Sequence, residues 1–231
     1  MPQYTEVHLT DGIGELVLNR PAQRNSLIGP LVVELREGLD RLVQDDECRA
    51  IIIRGAEGYF CAGLDLKAFS EDPAPEWRAN FPNDWAMFHE KIFLSDKPII
   101  GALEGFAIAG GSALALSCDF LIVGKGAFLH GSEVERGMFA PLNLAWLHIR
   151  HGYAKSLEMG LLGQRLYGER LYEMGVATRC VADDAVLEAS RETAARFASF
   201  STDAVQQLKR GMRQLTGVGD FMPFVDRIKA V

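Results

Sequence analysis

The sequence has little cysteine and no pattern that would use it. Cys48, Cys61, Cys118 and Cys180 are its only four, with no C-x-x-C and no Cys/His pair at zinc spacing. That excludes a disulfide scaffold and predicts free thiols without a metal site. Long hydrophobic runs are also missing. The most apolar region, 99–124, is interrupted by Glu104 and Asp119, and its charge-free stretch from Gly105 to Cys118 is 14 residues. A bilayer needs about 20 apolar residues, so no membrane span is expected. The polar opening Met1-Pro2-Gln3-Tyr4 does not read as a signal peptide. With the free thiols, this makes a cytoplasmic protein the expectation. There is no excess of positive charge: 24 Lys+Arg against 31 Asp+Glu leave −7, which argues against a nucleic-acid partner. No internal repeat, low-complexity stretch or G-x-G-x-x-G spacing occurs, so a solenoid and a dinucleotide fold are not expected.

What is present is a globular composition. The 231 residues are 48% hydrophobic and 24% charged, enough to build a core without staples. Val7, Leu9, Ile13 and Leu16 to Leu18 predict two short strands turning at Asp11-Gly12. The polar stretch 19–27 reads as a loop. Gly29-Pro30 opens a helix whose Leu31, Leu35, Leu39 and Leu42 recur at helical spacing. Residues 50–55 and 99–103 read as buried strands, and Trp85, Phe88, Ile92 and Phe93 mark a helix between them. The stretch 68–82 is aperiodic and is expected to be a variable connection. Residues 105–117 read as a turn into a helix, and 120–123 as another buried strand. From about Leu142 the chain is expected to be helical, interrupted by a strand at 178–181. Buried strands each preceded by a helix imply βα units with parallel pairing, an α/β fold. We expect a core over 1–185 and a C-terminal helical region over 186–231.

Two loops carry candidate chemistry. Cys61-Ala62-Gly63-Leu64-Asp65 follows the strand at 51–54, and Ala109-Gly110-Gly111-Ser112 follows the strand at 99–103. Small residues let a ligand approach the backbone, and free N–H groups at a helix start point at an anion. Two such N–H groups converging on one oxygen make an oxyanion hole. On spacing alone, both loops also read as tight packing turns.

Taken in order, Asn19-Arg20-Pro21…Arg24-Asn25-Ser26-Leu27, Phe60-Cys61-Ala62-Gly63-Leu64-Asp65-Leu66, Lys97-Pro98 through Gly110-Gly111, and Cys118-Asp119 resemble the crotonase (enoyl-CoA hydratase/isomerase) superfamily. The likeness continues through Gly163-Gln164-Arg165, Gly175-Val176 and Val181. It implies a crotonase-like core of repeated ββα units with a helical C-terminal region, assembled as a homotrimer or hexamer. It implies an acyl-CoA thioester substrate and no separate cofactor, because coenzyme A is part of the substrate. By the same resemblance, the N–H groups of Leu64 and Gly110 hold the thioester oxygen. Ala62 would contact the adenine, Arg24 the phosphates, and Asp65 and Leu66 the pantetheine end.

The resemblance also exposes a departure. Family hydratases use two glutamates, and one of these positions here is Ala113. The other falls in Glu133-Val134-Glu135-Arg136-Gly137, where Glu133 takes the place and Glu135 is the competitor. One carboxylate can carry a proton from C2 to C4 without water, so isomerase-type chemistry is expected ahead of hydration. A silent acyl-CoA-binding protein is the alternative. His130, His148 and His151 read as structural rather than catalytic. Glu104 is expected to hydrogen-bond the turn before Gly105, and Ser112 has no triad partners. Phe221, Phe224 and Lys229 lie in a terminal amphipathic stretch, whose contact with the ligand pocket the early chain end puts in question.

Overall fold

The structure is a computed structural model that describes residues 3–230. Its first half repeats one unit, two strands and a helix. The first unit is β1 (Thr5–Thr10), β2 (Ile13–Leu18) and α1 (Gly29–Gln44). Asp11 and Gly12 both take positive φ, 51° and 79°, which makes the tight turn that antiparallel strands need. The second unit is β3 (Ala50–Gly55), then α2 (Leu66–Phe69) and α3 (Phe81–Leu94). Its second strand is reduced to isolated bridges, Leu27 with Leu64 and Cys61 with Ala107. The third is β4 (Ile99–Leu103), β5 (Phe106–Ile108) and α4 (Gly110–Ser117). The fourth is β6 (Phe120–Gly124), β7 (Phe128–His130) and α5 (Pro141–Leu162), which breaks at Gly152. Then come β8 (Leu166–Tyr167), α6 (Gly168–Glu173), β9 (Arg179–Val181), α7 (Val186–Ala198), α8 (Thr202–Leu215) and α9 (Phe221–Lys229).

The strands sort into two sheets. One has the order β1-β2-β3-β4-β6-β9, parallel from β2 onward; the other has the order β5-β7-β8. Alternation along each strand divides the large sheet's faces. Leu16, Leu18, Ile51, Ile53 and Leu103 enter the main core with α1 and α3. Ala50, Ile52, Ile100, Ala102 and Ile122 face the other way, onto Val186, Ala189 and Ala194 of α7. Covering both faces explains why these strands are almost unbroken apolar runs.

Three sequence expectations change. The turn-to-helix reading of 105–117 overlooked β5, a three-residue strand too short for a periodic signal. The second loop therefore follows β5, not the strand at 99–103. The stretch 68–82 is also more ordered than expected. It holds the end of α2, a single turn at Glu76–Arg78 and the start of α3. Phe69, Trp77 and Phe81 pack on one another there, with ring centroids 5.9–6.3 Å apart. No described helix is long and apolar enough to cross a membrane.

Candidate active site

The two loops meet. Cys61 lies alongside β5: its N–H donates to the Phe106 carbonyl and its carbonyl accepts from the Ile108 N–H, each at 3.0 Å. Gly111 packs so close that a Cβ there would stand 2.4 Å from the Cys61 carbonyl oxygen. Gly63 has φ +82°, and a Cβ on it would lie 3.5 Å from the Gly110 nitrogen. Leu64 belongs to the bridge with Leu27, but Gly63 and Asp65 make its hydrogen bonds. The Leu64 N–H is thus left facing away from Leu27. Gly110 is the first residue of α4, where no intrahelical acceptor exists. Among the described residues, neither N–H has a partner in the chain. Ala109 before it takes φ 50° and ψ −115°, a sparsely populated conformation for a residue with a side chain.

Both N–H groups belong to residues lining a cavity of 770 Å³. Its lining is aromatic at Phe69, Phe81 and Trp85 and also includes Ala113, Glu133 and Asn143. A second cavity, of 260 Å³ and mostly aliphatic, shares Glu133 and Asn143 with the first. Glu133 therefore stands where the two spaces adjoin. Its Oε1 accepts from Asn143 Nδ2 at 2.5 Å, and the same nitrogen lies 3.3 Å from the Ala109 carbonyl. Burial pushes the Glu133 carboxyl above the usual carboxylate range, against the pull of Asn143, His130 and Arg136. A base raised toward neutral pH is better matched to taking and returning a proton.

Glu135 does not compete for this place. It lies against Gly163, with Oε2 3.6 Å from His130 Nε2. The residues expected at the coenzyme end are brought to the rim only in part. Ala62, Asp65 and Leu66 line the large cavity. Asp65 caps α2 through the Ala68 N–H and pairs with Arg20 at 3.1 Å. Burial opposes ionisation of Asp65, but the Ala68 N–H and Arg20 outweigh it and hold the carboxyl below its ordinary range. Arg24 is exposed and does not line the cavity; its carbonyl accepts from the Ala62 N–H at 3.1 Å. Helix α9 reaches the site. Phe221 is buried against Phe93 and Trp146, and Lys229 lines the large cavity of its own chain.

The other candidates are accounted for by packing. Ser112 is buried, its hydroxyl directed to the Ala107 and His130 carbonyls. His130 bonds the Gly163 carbonyl at 2.8 Å. His148 packs on Phe224, and burial with the nearby Arg150 and Lys155 lowers His151 to about 4. Glu104 does not form the expected side-chain hydrogen bond among the described residues; burial raises its carboxyl, and Arg54 only partly offsets this. Sequence reading missed two polar residues. Asn143 sits in the first turn of α5 after Pro141, where nothing in the sequence names its partner. His89 lies wholly buried on α3, accepting from Trp146 Nε1 at 2.9 Å through Nδ1. Its proton is therefore on Nε2, which has no partner among the described residues, and burial lowers the ring to about 3.

Comparison with known proteins agrees with this geometry. Residues 8–217 match the family model described as enoyl-CoA hydratase/isomerase. The chain is 30% identical to the 2,3-dehydroadipyl-CoA hydratase of Escherichia coli, over 86% of this chain and 77% of that one. It is 28% identical to the 1,2-epoxyphenylacetyl-CoA isomerase of the same organism, over 92% and 82%. Among solved structures, an enoyl-CoA hydratase/isomerase from Xanthobacter autotrophicus superposes with a TM-score of 0.89 at 25% identity, over 99% of this chain and 85% of that one. An enoyl-CoA hydratase from Bacillus anthracis superposes at 0.86 and 26%, over 99% and 90%. Two N–H groups without acceptors among the described residues, a half-buried carboxylate lining the same cavity and a family match over nearly the whole length agree: the chain belongs to the enoyl-CoA hydratase/isomerase family and has the crotonase fold.

Proposed function

We propose that this protein stabilises the enolate of an acyl-CoA thioester and shifts a double bond by proton shuttling, as an enoyl-CoA isomerase-type enzyme. The carrying observation is one cavity lined by Leu64 and Gly110, whose N–H groups have no partner among the described residues, by Glu133, and by Ala113 where a second carboxylate would stand. The thioester oxygen accepts from the N–H groups of Leu64 and Gly110. Each such donor, in a site closed to water, lowers the barrier to the enolate by about 3–4 kcal/mol. Glu133 takes a proton from C2 of a 3-enoyl thioester, giving a dienolate, and returns it at C4. No water is consumed, so one carboxylate suffices. Ala62, Asp65 and Leu66 receive the coenzyme, with Arg24 beside them at the surface. Lys229 adds a cation to the same cavity. The exposed apolar residues Leu208, Met212 and Leu215 of α8 support the expected trimer or hexamer.

The names of the relatives keep hydration as the second reading, since one of those cited is a hydratase and the other an isomerase. A paired assay separates the two. A 3-enoyl-CoA and a 2-enoyl-CoA are supplied separately, and the products are identified by mass and retention time. The proposal expects conversion of the 3-enoyl substrate without gain of water, and a loss of about 10²–10⁴-fold in Glu133→Gln. Turnover surviving in Glu133→Gln removes that residue as the base. Addition of water to the 2-enoyl substrate alone favours hydration. If neither substrate changes but a CoA ester binds, the silent-binder reading takes over.

A further inference from the structure

We propose that Asn143 is the positioning residue of this site: its side-chain amide ties the Glu133 carboxylate to the backbone of the Gly110 loop, and so sets how the base faces the oxyanion donors. This rests on the reading of Glu133 as the base. The two hydrogens of Nδ2 have two acceptors, Glu133 Oε1 at 2.5 Å and the Ala109 carbonyl at 3.3 Å. Ala109 immediately precedes Gly110. It is held in its unusual conformation by its N–H to the His130 carbonyl, at 2.9 Å, and by its carbonyl, which also accepts from Ala113 N–H at 3.1 Å. One amide thus joins the residue that aims the Gly110 N–H to the residue that would move the proton.

The orientation of the amide follows from chemistry. Exchanging its nitrogen and oxygen would set an acceptor against both a carboxylate and a carbonyl. The orientation found leaves Asn143 Oδ1 buried and without a partner among the described residues. An unpaired buried oxygen disfavours the fold, and such exceptions concentrate where a site needs them. Position 113 offers no help, because the methyl group of Ala113 cannot hydrogen-bond Glu133. The other titratable or charged side chains near the carboxylate are His130 on β7 and Arg136 in the turn that follows. Lys229 of α9 lines the same cavity, while Glu135 turns away toward His130. Among the side chains of the described residues, only Asn143 hydrogen-bonds Glu133.

The test uses Asn143→Asp, which keeps the shape and removes the donor, and Asn143→Ala as a second variant should the first not fold. Two readouts are taken. One is the acid limb of kcat/KM against pH, with kcat and KM separated at pH 7. The other is the titration of the Glu133 carboxyl by carbon NMR in glutamate-labelled protein, assigned with Glu133→Gln. In Asn143→Asp both midpoints are expected to rise by about one pH unit or more, equivalent to a tenfold change in the ionisation constant. At pH 7 kcat should fall about tenfold or more while KM stays within about threefold, since ground-state binding is untouched. A smaller rise is expected in Asn143→Ala. An unmoved NMR midpoint in a folded variant overturns the proposal. The NMR titration decides this even for a protein that turns nothing over. A moved midpoint with an unmoved acid limb counts against Glu133 as the base and leaves the tie standing.

Discussion

Gly63→Ala probes the contact between the two loops. The Cβ of an alanine there would stand 2.6 Å from the Ile108 carbonyl oxygen and 3.3 Å from the Ala109 Cβ. Ordinary contact to a carbon begins at about 3.5 Å, so the loops would have to part by about 0.9 Å. The N–H groups of Leu64 and Gly110 flank this contact, and parting the loops moves one donor away from the other. A misplacement of about 1 Å in a site of this kind costs on the order of 10²-fold in rate. The positive φ of +82° adds strain of about 1 kcal/mol or more for any residue with a side chain. Gly58→Ala separates the two effects. Gly58 has a similar φ of +75°, but a Cβ there meets nothing within 4 Å. Both variants should lose comparable stability from φ strain, measured by urea unfolding. Only Gly63→Ala should also lose about 10²-fold in exchange of the thioester α-proton with deuterated water. Equal exchange rates in the two folded variants would show that the contact does not set the donor geometry.

Further predictions concern the buried ionisable groups. Burial lowers His89 from its ordinary 6.5 to about 3 in the folded chain. Below that higher value the unfolded chain binds a proton that the folded chain refuses, so stability falls as pH falls between the two. At pH 5 the loss is about 2 kcal/mol. Urea unfolding of wild type and His89→Gln at pH 7.5 and pH 5 should show this slope in the first and not in the second; parallel curves refute it. Asp119 accepts from Lys209 at 2.6 Å and Arg150 at 3.0 Å, and from the Ile99 N–H at 2.8 Å. Burial works against its charge, but the two cations outweigh it and its carboxyl is held below the ordinary range. Its contribution is full at neutral pH and lost as acid protonates it. Asp119→Asn should destabilise by about 3–5 kcal/mol at pH 7, because it strands two cations against the core. An unchanged unfolding midpoint refutes that.

Much of the fold is legible in the sequence because its signals are local. The leucine spacing of α1, the Asp-Gly turn and the apolar runs of β3, β4 and β6 each lie within a few residues of chain. The order of motifs carried the family as well, since the glycines at 63 and 111 are required by contacts of 2.6 and 2.4 Å. Short strands escaped, because β5, β7 and β8 have two or three residues and no period to read. The stretch 68–82 was misread because aromatic side chains, not helical spacing, order it.

The candidate site divides in the same way. Composition, the two Gly-containing loops, Glu133 and the alanine at 113 can all be read along the chain, because each depends on residue type and position. The contact of Glu135 with Gly163 and His130, the partnership of Glu133 with Asn143, the exposure of Arg24 and the reach of Lys229 into its own cavity cannot. They depend on which way side chains point once α4, α5 and α9 have packed around the large sheet. Burial and hydrogen bonding between residues far apart in sequence leave no mark on either residue alone.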